Sequence, residues 1–176
     1  MSASYKFKLV LFGNAAVGKT SLVERYINNR FEGQYLSTLG YNVYEKKIDI
    51  SETGEISVTF VIFDIGGQEQ FKELRKKYAA GAQAALLVYS IIDRDSFENI
   101  PNWHSDLKAF TDNAHFIIVG NKLDLEDSRQ VVKEEGESLA QMLQADGFFE
   151  TSAKADVMIN ETFYSFAKII LDKSFI

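Results

Sequence analysis

The chain has 176 residues, 46% hydrophobic and 25% charged, with a formal net charge of −6 and no cysteine. That size and apolar content suit one globular domain with a real core, and the acidic balance argues against a broad surface for nucleic acid or anionic lipid. Without cysteine there is no disulfide, thiolate metal site, prenyl group or palmitoyl group on this sequence.

In chain order, the apolar run "YKFKLVLF" (5–12) reads as a strand and is followed at once by "GNAAVGKT" (13–20) and the helix-like "SLVERYI". The polar, glycine-punctuated "FEGQYLSTLGYN" (31–42) leads into a second run, "YNVYEKKIDI". The short, turn-rich "SETGE" then predicts an antiparallel hairpin with the third run, "ISVTFVIFDI" (56–65). After "DIGGQE" comes "ELRKKY" (73–78), whose charges read as a solvated helix face. Three further runs, "AALLVYSI", "HFIIVGN" and "GFFET", are separated by stretches long enough for crossover helices, with Trp103 read as helix packing. The last segment repeats Ile159, Phe163, Phe166, Ala167 and Ile170 at helical spacing, which predicts one face packed on the sheet. The pattern predicts an α/β fold: a mostly parallel six-stranded sheet with one antiparallel hairpin strand and helices on both faces.

"GNAAVGKT" matches G-x-x-x-x-G-K-[ST], for which chance odds in a chain of this length are roughly one in two hundred. Its place between a strand and a helix is what a phosphate cradle requires. Backbone N–H groups wrap the anion, and the helix N-terminus points partial positive charge at it. Gly13 and Gly18 permit the turn and the close approach, Lys19 sets an ammonium between the β- and γ-phosphates, and the Thr20 hydroxyl takes one position on Mg²⁺. The base is read elsewhere. "NKLD" (121–124) ends the fifth strand at the edge where open α/β sheets bind ligands. The Asp124 carboxylate can accept from guanine's ring N–H and exocyclic amine, a donor pair that adenine lacks.

These residues resemble the Ras superfamily of small GTPases over essentially the whole chain, through "GNAAVGKT", Thr38 in "STLG", Asp64 in "DIGGQE", "NKLD" and "TSAK" (151–154), in that order. "YLSTLGYN", "GGQEQFKEL", "DRDSFENIPNW" and "ETSAK" are most similar to the Rab branch. The resemblance implies a single G domain over residues 1–176. Thr38 would be a second protein ligand of Mg²⁺ and meet the γ-phosphate, Asp64 would hold Mg²⁺ through water, and the Gly67 N–H would donate to the γ-phosphate. Phe31 would lie edge-on to the base between Lys122 and Lys154, with Ala153 N–H on the guanine oxygen and Asn121 tied back to the P-loop. Ala15, Ala16, Val17, Ser21, Tyr35, Leu125 and Ser152 complete the implied nucleotide contacts. The implied reaction is slow hydrolysis of GTP to GDP, with Gln68 orienting the attacking water and Lys19 and Thr38 supporting the transferred phosphoryl group.

The implied partners are an exchange factor, an activating protein that supplies an arginine, and effectors. No arginine occurs in 31–42. The resemblance also implies two switch segments, residues 31–41 and 66–77, that order with GTP and loosen with GDP. The surface between them, aromatic in Rab proteins, falls on Val43, Phe63 and Tyr78. Ala15 stands where relatives carry glycine or serine, and its methyl group could crowd Gln68. The chain is expected to be monomeric and cytoplasmic, with no nucleic-acid partner and no direct membrane anchor, so that membrane association would come through partners or a further tail. The alternative readings are a GTP-binding scaffold with negligible hydrolysis and a P-loop kinase or ATPase, the latter disfavoured by "NKLD" and "TSAK".

Overall fold

The computed structural model describes residues 2–33 and 37–175. Strand β1 (Ala3–Phe12) carries the period of an extended chain into the interior: Leu9 and Leu11 enter one core, Val10 and Phe12 the other, and all four are fully buried. A strand apolar on both sides can only be central in a sheet covered twice. The sheet order is accordingly β2-β3-β1-β4-β5-β6, with β3 (Ile56–Ile65), β4 (Ala84–Ser90), β5 (His115–Asn121) and β6 (Gly147–Glu150) parallel to β1. Among the described strands of the sheet only β2 (Tyr41–Asp49) runs antiparallel, pairing Tyr41 with Ile65 and Asp49 with Ser57 across the "SETGE" turn, where Gly54 N–H bonds Ser51 O at 3.0 Å. Glu45, Lys46 and Lys47 on this edge strand oppose further strand addition.

One face of the sheet is covered by α1 (Lys19–Asn28) and α6 (Ile159–Lys173), whose Tyr26 and Phe163 rings stack at 3.9 Å. All five apolar positions read from the α6 stripe are buried, together with Thr162 and Leu171. The other face carries α2 (Lys72–Ala79), α3 (Arg94–Glu98), α4 (Ile100–Phe110) and α5 (Lys133–Met142), packed through Ala79, Trp103, Leu107 and Ala140 on Tyr89, Phe12 and Phe116. Pro101 sits in the first turn of α4, where its missing N–H has no helical acceptor.

Two details depart from the sequence reading. Arg75, inside the supposedly solvated "ELRKKY" face, is only 1% exposed, because α2 turns that position toward Trp103 of α4. Trp103 packs, but it also donates a hydrogen bond to Asn14. The parallel arrangement brings the C-terminal ends of β1, β3, β5 and β6 to one edge, so 13–20, 66–68, 121–125 and 151–154 meet there although they are spread from residue 13 to residue 154 in the sequence. Among the described residues no helix is long and apolar enough to cross a membrane.

Candidate functional site

A cavity of about 620 Å³ occupies that edge, walled by Ala15 to Ser21 on one side, Thr38 and Gly66 to Gln68 on a second, and Asn121, Lys122, Asp124, Leu125, Ala153 and Lys154 on a third. Val17 is the exception in the first wall: it is fully buried beneath the loop. Phe31, Glu24, Arg30, Glu32 and Gly33 close the remaining side, and Phe31 stands 37% exposed at the rim. Tyr35 lies outside the described residues.

The phosphate loop follows from its glycines. Gly18 has φ +97°, a left-handed conformation, and a Cβ there would overlap Asn121 Nδ2. That amide donates to Val17 O at 3.1 Å, so the end of β5 and the loop after β1 are bonded through the one position that has room. Lys122 Nζ adds a second tie, to Ala16 O at 2.8 Å. Lys19, the first residue of α1, is buried beneath the loop and donates to Gly13 O at 2.6 Å and Asn14 O at 2.9 Å. Burial lowers its pKa to about 8; Asp64 opposes that effect and Arg75 adds to it. An ammonium on two carbonyls, with no carboxylate of the described residues in hydrogen-bond contact, is poised for an anion.

Three oxygen side chains converge below the cavity. Thr20 Oγ1 donates to Asp64 Oδ2 at 2.6 Å, which leaves the Thr38 hydroxyl to donate to Thr20 Oγ1 across 2.5 Å. Asp64 is fully buried at the end of β3; its Oδ1 has no hydrogen-bond partner among the described residues, and burial raises its pKa. A buried carboxylate oxygen without a partner, beside two hydroxyls, is a hard-oxygen donor set that fits Mg²⁺.

On the base side, Ser152 Oγ donates to Asp124 Oδ1 at 2.7 Å, and Thr151 Oγ1 donates to Asn121 Oδ1 at 3.0 Å, so "NKLD" and "TSAK" are cross-linked by side chains. Ala153 is buried with its carbonyl turned toward α1, where Arg25 Nε donates to it at 2.7 Å and Arg25 Nη2 donates to Lys154 O at 3.0 Å. Arg25 was not legible in the sequence: the partner atoms are main-chain carbonyls about 130 residues away, which leave no side-chain pattern.

On the remaining wall, a Cβ on Gly67 would lie 2.7 Å from Ala15 N and overlap Gly13 O, so only glycine can press this segment on the phosphate loop. Gln68 Oε1 is buried at the cavity wall without a hydrogen-bond partner among the described residues. Outside the cavity, Val43 pairs with Phe63 across β2 and β3, and Tyr78 lies over both Phe63 (5.7 Å between centroids) and Tyr41 (4.2 Å). Tyr41 therefore joins the three residues expected there.

A phosphate loop at the switch edge of a parallel sheet, with a buried lysine and a Thr/Thr/Asp oxygen cluster, defines a P-loop nucleotide-binding protein. A sequence profile of the Ras family matches residues 8–172. Ras-related protein Rab-3C of Bos taurus is 37% identical over 170 residues, covering 96% of this chain and 73% of that protein. Ras-related protein Rab-13 of Bos taurus is 40% identical over 172 residues, covering 96% and 81%, and Ras-related protein Rab-3D of Mus musculus is 38% identical over 170, covering 96% and 76%. The chain belongs to the Ras family, is most similar to its Rab branch, and is a small GTP-binding switch protein with GTPase activity.

Proposed function

We propose that this chain is one Rab-like G domain in which Thr20, Thr38 and Asp64 hold Mg²⁺, Asp124 selects guanine, and Gln68 orients the hydrolytic water. The observation that carries this reading is the junction of the three oxygen side chains: one comes from the phosphate loop, one from the segment before β2, and one from the end of β3. Loss of the γ-phosphate would release the second of these, and with it the segment that a partner reads.

Lys19 would leave its two carbonyls for the β- and γ-phosphate oxygens, and charge on those oxygens would restore the pKa that burial lowers. When bound, Mg²⁺ would neutralise phosphate charge. The Gly67 N–H would donate to a γ-phosphate oxygen, since the missing side chain lets this segment lie against Gly13 and Ala15. Gln68 Oε1 would accept a hydrogen bond from the water that attacks phosphorus; the amide positions this water and does not deprotonate it. The water's protons pass to the released phosphate, and GDP leaves with the β–γ bridging oxygen.

Tyr41, Val43, Phe63 and Tyr78 form the surface next to both moving segments, which suits an effector that binds the GTP state. An exchange factor and an arginine-donating activator complete the cycle, and the family membership favours a monomeric switch in membrane trafficking, with membrane association supplied by partners or a further tail. The test is single-turnover hydrolysis of GTP with Mg²⁺, alongside ATP and a Gln68→Leu chain. Slow, guanine-specific turnover that Gln68→Leu suppresses is expected. Tight GTP binding without turnover would favour the scaffold reading, and turnover of ATP would refute the role of Asp124.

A further inference from the structure

Arg75 is the largest fully buried side chain among the described residues, and none of its hydrogen bonds goes to a carboxylate. Its Nη1 donates to Gly66 O at 2.9 Å and to Gln68 O at 2.8 Å, the two carbonyls that flank Gly67, while its Nε has no hydrogen-bond partner among the described residues. The guanidinium carbon lies 4.8 Å from the centre of the Trp103 ring. Trp103 Nε1 in turn donates to Asn14 Oδ1 at 2.8 Å, and Asn99 Nδ2 donates to the same oxygen at 2.7 Å. Side chains thus run without a break from the phosphate loop through α4 and α2 to the segment carrying Gly67 and Gln68.

A buried guanidinium hydrogen-bonded to carbonyls and stacked on a ring, with the carboxylates of Asp106 and Glu69 near it but not bonded to it, is a poor way to stabilise a helix, because desolvation offsets most of what the contacts contribute. It is an effective way to fix a loop, since a planar cation stacked on a ring has little freedom left to lose when it bonds. The fixed loop is thin: Ala15 and Gly67 wall both the nucleotide cavity and a second cleft of about 560 Å³ that Arg75 and Trp103 line from behind. Without a brace on that side, little apolar contact would hold the segment, because it contains two glycines.

We propose that Arg75 is a positioning residue for hydrolysis, clamping the Gly66–Gln68 backbone from behind the site with Trp103 as its platform and Asn14 as the anchor in the phosphate loop. The inference rests on the role given to Gln68. It predicts that the clamp governs the chemical step and not nucleotide retention, because the atoms that would hold GDP, on the phosphate loop, "NKLD" and "TSAK", do not touch Arg75.

The test is single-turnover hydrolysis of preloaded GTP by the full chain, paired with GDP release and urea unfolding, for Arg75→Met, Trp103→Phe and Gln68→Leu. Arg75→Met keeps the aliphatic packing and removes both donors. It is expected to slow hydrolysis by about tenfold to a hundredfold, the range a misplacement of about 1 Å can cause, while GDP release changes by less than about twofold. Trp103→Phe keeps a ring face but loses the bond to Asn14, and is expected to slow hydrolysis less, again without faster GDP release. Parent-like hydrolysis by Arg75→Met overturns the clamp, as does a rise in GDP release that matches the loss of hydrolysis, which would make Arg75 merely structural. If Gln68→Leu is slow while Arg75→Met is not, only the clamp fails; if Gln68→Leu hydrolyses like the parent, the role of Gln68 fails and the clamp falls with it.

Discussion

Removal of the Arg129 side chain should unfasten the base side of the site. Arg129 Nη1 donates to Glu150 Oε2 at 2.5 Å and Nη2 to Glu150 Oε1 at 3.1 Å, a two-pronged contact between the turn after "NKLD" and the last residue of β6. Nε and Nη2 also reach Glu126 at 3.0 and 2.5 Å. The two arms differ in worth. The Glu126 side chain is 59% exposed, so solvent screens that arm and it adds little. The Glu150 side chain is 8% exposed and Arg129 13%, so Arg129→Ala would leave a nearly buried carboxylate without its cation, a loss of about 3 kcal/mol at the low end of the range for broken buried pairs. Urea unfolding of Arg129→Ala measures the loss directly. The double variant Arg129→Met with Glu150→Leu should recover most of it, since an apolar pair of similar volume avoids the desolvation penalty. GDP release should quicken in the single variant, because β6 has four residues and leads straight into "TSAK". A loss under about 1 kcal/mol for Arg129→Ala, or no recovery in the double variant, would refute this partition between the arms.

Nucleotide affinity of the nucleotide-free chain should fall as pH rises through about 8, because burial lowers the Lys19 pKa to that value and only the ammonium attracts phosphate. Calorimetry near pH 8 in buffers of different ionisation enthalpy should record proton uptake on GDP binding, and its absence would contradict the buried state of Lys19. Asp124→Asn should weaken GDP binding by about a hundredfold or more and shift preference toward xanthine nucleotide, read by competition; unchanged GDP affinity would remove Asp124 from base selection. Gly67→Ala should slow single-turnover GTP hydrolysis on the order of a hundredfold and spare GDP binding, since the added Cβ meets Ala15 N at 2.7 Å and pushes the segment off the loop. Equal rates would show that the segment closes without this contact.

What the sequence determined by itself is what local spacing encodes. A glycine seven residues before a hydroxyl, with a Gly-Lys pair just ahead of that hydroxyl and the whole set between an apolar run and a helix, reads as a phosphate loop, because the N–H groups that wrap the anion belong to the loop itself. The two-sided apolar runs settle the parallel sheet for the same reason: residues two apart must face the same side. Tertiary structure decided the rest, because the partners of each remaining group are distant in the chain. Arg75 sits in a charge run, and nothing within 73–78 distinguishes it from Lys76 or Lys77; only the packing of α2 against Trp103 buries one cation and exposes its neighbours. Arg25 finds its acceptors on the "TSAK" carbonyls, and Arg129 finds Glu150 across the edge of the sheet. A backbone acceptor carries no residue type and an ion pair between two loops carries no period, so neither leaves a trace until the parallel sheet gathers its loops along one edge.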